Sequence, residues 1–110
     1  MMEQDEFREM ALTFLEAVES SHFDTADFRV RGKIFATLRG ADGRAVLKLS
    51  PDGQQLAMAT SPGMFEPVGG AWGQKGWTRV ELDRADAETV RHVMGMAWRS
   101  VAPKKLAEGR

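Results

Sequence analysis

Apolar and polar positions alternate most clearly over residues 27–38, Asp-Phe-Arg-Val-Arg-Gly-Lys-Ile-Phe-Ala-Thr-Leu. Two short alternating runs meet at Gly32, which predicts a β-hairpin. The favoured turn is a three-residue loop, Val30-Arg31-Gly32. It gathers Phe28, Ile34, Ala36 and Leu38 on one apolar face and leaves Arg29, Lys33, Phe35 and Thr37 on the other. A two-residue loop would instead mix arginines into the apolar face. Before the hairpin, Phe7, Met10, Ala11, Phe14, Leu15 and Val18 make one helical stripe, predicting a helix over 5–18. Residues 19–26 read as a polar connection. Arg44–Leu49 alternates as a third strand after a turn at 39–43. Ser50-Pro51-Asp52 starts a short helix reaching about Thr60.

Met64–Val68 reads as an edge strand, since Pro67 lacks a ladder donor. Gly70–Gly76 is a loop carrying Trp72, and Trp77–Leu82 is a strand. Asp86 caps a last helix striped by Val90, Val93, Met94, Ala97, Trp98 and Val101. Pro103 ends it, ahead of a basic tail of Lys104, Lys105 and Arg110. The order is α-β-β-β-α-β-β-α. The expected fold is α+β, with one mainly antiparallel five-stranded sheet and helices packed on one face.

Length, charge and composition narrow the picture. A chain of 110 residues makes one domain, 1–110. Cysteine is absent, which excludes disulfides, thiolate metal sites and cysteine nucleophiles. There is no membrane-length apolar run and no signal-like N-terminus, so a cytoplasmic protein is expected. Net charge is −1 but unevenly spread: seven acids and one base over residues 1–24, two acids and six bases over 25–50.

The residues offer little catalytic chemistry. His22 and His92 are isolated, with no metal-ligand spacing around them. The glycines at 69–76 open a strand rather than a helix, unlike a dinucleotide loop, and no glycine precedes Lys-Ser or Lys-Thr. Neither an enzyme nor a cofactor or metal site is expected. What remains is the second sheet face, where Arg29, Phe35, Thr37, Val46, Lys48, Trp77, Arg79 and Glu81 should lie. Its bases can meet phosphates and its rings can stack on bases. The alternative places Phe35 and Trp77 with Trp72 in a small cluster under the glycine-rich loop.

Phe28–Ala36, the Trp72-Gly73 to Gly76-Trp77-Thr78 loop with Val80 and Leu82-Asp83, and Ala97-Trp98-Arg99 to Val101–Lys104 together resemble the YjbR/MmcQ family of small bacterial proteins. Two positions depart from its pattern. Phe14-Leu15-Glu16 stands where the family often has Leu-Pro-Gly, and Ala26 stands where a proline usually precedes Asp-Phe. The resemblance implies a frataxin-like or secretion-chaperone-like fold and DNA binding through a double wing of hairpins. The expected nucleic-acid contacts are Arg29, Arg31, Lys33, Phe35, Lys48, Trp77 and Arg79. The competing expectation is a module that binds a peptide, a protein partner or its own copy through the sheet face or a strand edge. Frataxin-like metal binding would need an exposed acidic ridge. Glu3, Asp5, Glu6, Glu9 and Glu16 on the first helix are explained by ordinary helix design.

Overall fold

The computed structural model describes residues 1–108. Arg110 of the expected basic tail lies outside the described residues. Chain order is α1 (Gln4–Ala11), β1 (Val18–His22), β2 (Thr25–Val30), β3 (Lys33–Arg39), β4 (Arg44–Lys48), α2 (Pro51–Thr60), β5 (Phe65–Pro67), α3 (Ala71–Gln74), β6 (Trp77–Val80), a 3-10 turn (Leu82–Arg84), α4 (Ala87–Val101) and α5 (Lys104–Glu108). The fold is α+β, but the antiparallel sheet has six strands rather than five, ordered β1-β2-β3-β4-β6-β5.

The extra strand is β1, within the stretch expected to be a polar connection. It carries Val-Glu-Ser-Ser-His, and four of its five residues are exposed. With neither face buried, it shows no apolar alternation. The first helix also stops well short of residue 18. Thr13 turns its hydroxyl onto the Met10 carbonyl at 2.6 Å, and Trp98 Nε1 donates to the Leu15 carbonyl at 3.0 Å. These bonds serve carbonyls that a continuing helix would use itself. Phe14 still reaches the core, 6.1 Å from the rings of both Phe35 and Trp98. In the glycine-rich stretch a single helical turn, α3, replaces the expected plain loop.

The hairpin differs from expectation in its turn and its register. The loop has two residues, Arg31 and Gly32, with φ of 51° and 84°. Positive φ at both central positions is the twist-matched two-residue hairpin turn. The register is restored by a bulge. Phe28 lies opposite Ala36, but Arg29 lies opposite Ile34, so β3 carries one residue more than β2. That extra residue lets Phe35 join Phe28 and Val30 in the core while Ile34 turns outward. Phe35 is fully buried.

The core lies between the inner sheet face and the helices. Phe7, Phe28, Phe35, Leu47, Val90, Met94 and Trp98 are among its buried side chains. Helix α4 packs across β3 and β4, α1 touches β3, and α2 packs on β5. Asp86 caps α4 through the Thr89 amide, and Ser50 caps α2 through the Gly53 amide.

A tryptophan corner on the outer sheet face

The outer face is set by the ladder. Asp27, Thr37, Val46, Arg79 and Glu66 lie opposite one another across five strands. Lys48 lies opposite Trp77, and Arg29 opposite Ile34. The sheet thus brings Arg29, Lys48, Trp77 and Arg79 to one face, as expected. Phe35 is not among them, because the bulge sends it into the core. Arg31 and Lys33 sit at the tip of the β2–β3 hairpin.

Most of these arginines are already engaged by carboxylates. Arg29 holds Asp27 through two hydrogen bonds, at 2.8 and 3.3 Å. Arg31 holds Glu16 at 2.9 and 3.1 Å. Arg39 holds Asp42 at 2.9 and 2.7 Å. Arg79 pairs with Glu66 and, at 2.9 Å, with Glu81. These bonds push the pKa of Arg29, Arg31 and Arg39 further up, and the Arg31 guanidinium pulls that of Glu16 down. A phosphate arriving here would have to displace a charge-assisted, two-point contact.

The opposite holds at the β4–β6 side. Ile34, Arg44, Val46, Val68, Gly69, Trp72 and Trp77 line an open, mainly apolar hollow of about 390 Å³. Trp72 and Trp77 meet edge to face, with ring centroids 5.9 Å apart. Trp72 is 61% exposed. The Lys75 ammonium lies 5.3 Å from the Trp72 ring centroid and the Lys48 ammonium 5.9 Å from that of Trp77. Lys48 also donates to the carbonyls of Leu49 and Lys75, at 3.2 and 3.4 Å. Among the described residues, no carboxylate forms an ion pair with Arg44, Lys48 or Lys75.

The corner is built on glycines. A Cβ on Gly73 would stand 1.9 Å from the Val68 carbonyl oxygen, and one on Gly76 would stand 1.9 Å from that of Leu49. Only hydrogen fits, so the loop lies directly against its neighbours and fixes Trp72 over the sheet. From behind, buried Gln54 of α2 donates to the carbonyls of Gly73 and Trp77 and to Thr78 Oγ1, at 3.1, 3.2 and 3.0 Å. The sequence reading missed Arg44, Lys75, Ile34 and Gln54. A polar residue in a helix with little apolar surface gives no sign that it points into the core. The alternative pairing of Trp77 with Trp72 holds, but Phe35 is not part of it.

His22 is exposed on β1, 5.0 Å from the Phe23 ring, and His92 lines a groove between α2 and α4. Among the described residues, no group of three or more His, Cys, Asp or Glu is placed to hold a metal ion. None of the described helices is long and apolar enough to cross a membrane.

No curated protein matches the chain. Among solved structures, the Deinococcus radiodurans protein DR2400, carrying the domain DUF419, is similar in fold. The TM-score is 0.76 at 23% identity, covering 96% of this chain and 82% of that one. The YjbR family model matches residues 12–100, a span that includes the β2–β3 hairpin, the tryptophan loop and most of α4. The chain belongs to the YjbR family.

Proposed function

We propose that this chain is a non-catalytic binding module and that its ligand is single-stranded nucleic acid, held at the Trp72–Trp77 corner with little regard to sequence. One observation carries the reading. Carboxylates hold Arg29, Arg31, Arg39 and Arg79, whereas Arg44, Lys48 and Lys75 surround two tryptophans without any. A base stacks on an exposed indole whatever its identity, contributing about 1–3 kcal/mol. The adjacent cations suit the phosphates on either side of that base. Among the described residues, the helix at this corner is the four-residue α3, too short to enter a major groove, so base-edge readout has no vehicle here. The expected DNA contacts at Arg29 and Arg79 give way to those at Arg44 and Lys75.

The test is fluorescence anisotropy with a labelled single-stranded oligonucleotide, with duplex DNA and RNA alongside, at two salt concentrations. Three phosphate contacts should give a log–log salt slope of roughly −2. Trp72→Ala and the Arg44→Ala/Lys75→Ala pair should weaken binding at least tenfold, and Arg29→Ala should change it little. If the Arg44→Ala/Lys75→Ala protein binds as wild type does, the corner is not the site. Absence of binding at moderate salt, with Trp72→Ala altering capture of an acidic apolar peptide instead, would favour the protein-interaction reading.

A further inference from the structure

The two edges of the sheet are protected very differently. Edge strand β5 has three residues and ends in Pro67. Edge strand β1 has five residues, with no proline, no lysine and no register irregularity against β2, and its one carboxylate, Glu19, is neutralised by Arg8 of α1 at 2.8 Å. Natural sheets blunt their free edges by such devices, and an undefended edge is a template for another strand. The exposed apolar residues point to the same place. Of seven large hydrophobic side chains exposed among the described residues, three lie in β1 or within three residues of its ends: Leu15, Val18 and Phe23. Phe23 is 99% exposed, and its φ of 58° is one that bulky residues avoid. Phe23 meets the neighbouring His22 ring edge to face at 5.0 Å but otherwise stands in solvent, a small return for a strained backbone.

We propose that β1 is a homodimerisation edge, with two copies pairing their β1 strands antiparallel about a two-fold axis at Ser20. The apolar residues are distributed self-complementarily, as an isologous contact requires. Leu15 and Val18 lie at one end of the strand and Phe23 lies just beyond the other. Antiparallel pairing about Ser20 sets His22 against Val18 of the second copy and brings Phe23 to its Leu15–Val18 segment. Glu19 faces Ser21 in this register. A shift of the axis to Glu19 would place two carboxylates opposite each other, which disfavours it. The proposal is independent of the tryptophan corner, because β1 and β5–β6 are at opposite edges of the sheet. The interface is small, so dissociation should be on the order of micromolar.

The chain's lack of cysteine makes the register directly readable. Ser20→Cys should form a disulfide-linked dimer on mild oxidation, because residues on the two-fold face their own copies within disulfide reach. Glu19→Cys should link far less. Sedimentation of the wild type should show a concentration-dependent dimer. Ser20→Lys and Phe23→Asn should be monomeric, with Tm unchanged for the first and raised for the second. A wild-type chain that stays monomeric to about millimolar, a dimer that survives both substitutions, or equal cross-linking at positions 19 and 20 would each overturn the proposal.

Discussion

Gln54 Nε2 donates to Thr78 Oγ1 across 3.0 Å inside the protein, and Thr78 passes the chain on, donating to the Gly76 carbonyl at 2.8 Å. Both side chains are buried. Gln54 thus ties α2 to the loop that carries Trp72. Gln54→Leu keeps much of the volume but leaves the Gly73 and Trp77 carbonyls without this donor. Both carbonyls keep a backbone partner, from Gly76 and Val68, so the expected loss is about 0.5–1.5 kcal/mol, the net worth of a hydrogen bond rather than the larger penalty of an orphaned group. A red shift in tryptophan emission should accompany it, as the corner loosens before the protein melts. Wild-type emission with wild-type Tm would show that the loop stands without this support.

The same loop makes two glycines irreplaceable and one dispensable. An alanine methyl at Gly73 or Gly76 would overlap a backbone oxygen at 1.9 Å, and at Gly76 φ is also 108°. Backbone cannot step aside as a side-chain tip can. Gly73→Ala and Gly76→Ala should each lose more than ~4 kcal/mol, a large share of the roughly 5–15 kcal/mol that holds a domain folded. Gly69 has nothing within 4 Å of the added carbon, and Gly69→Ala should melt within a few degrees of wild type. Thermal denaturation of the three variants decides this.

Trp98 combines packing with an anchoring bond. It is 1% exposed, stacks near Phe14, and donates to the Leu15 carbonyl where the chain leaves α1. Trp98→Ala should reduce stability by roughly 3–5 kcal/mol in urea unfolding. Trp98→Phe should recover much of the packing but not the bond, and so fall between the two.

The same particulars show what patterning could and could not reveal. The stripe of α4, its Asp86 cap and the Ser50-Pro51 start were legible because their signals are local. The Phe28–Leu38 hairpin was legible as a hairpin, but not its bulge. Parity assigns faces only while each strand advances one residue per pair, and one inserted residue moved Phe35 and Ile34 to faces opposite to those expected. β1 was silent because neither of its faces is buried. The departure at Phe14-Leu15-Glu16 left its mark in the backbone. Glu16 stands where the family pattern has glycine and takes a φ of 60°, held by Arg31. The basic residues of the outer face were legible individually. The carboxylates two residues away on the same strand face, Asp27 for Arg29 and Glu81 for Arg79, were legible too, but the cross-strand Glu66 and the distant Glu16 that hold Arg79 and Arg31 are encoded by no local pattern.

Asp42 offers a titration test of one of those pairings. Its carboxylate accepts two hydrogen bonds from Arg39 across the β3–β4 turn, and that guanidinium lowers its pKa from the ordinary 3.8 to about 2. A folded-state pKa below the unfolded one means the pairing contributes stability fully above pH 3.8. That contribution fades as pH falls towards about 2. Asp42 is solvent-accessible, so added salt should weaken the effect. In an NMR titration the Asp42 carboxyl carbon should show its midpoint near 2 in low salt. Arg39→Ala should move that midpoint back up towards the ordinary value, and it should remove the salt dependence as well. An Asp42 midpoint that ignores both the substitution and the salt would show that the Arg39 pair is not populated in solution.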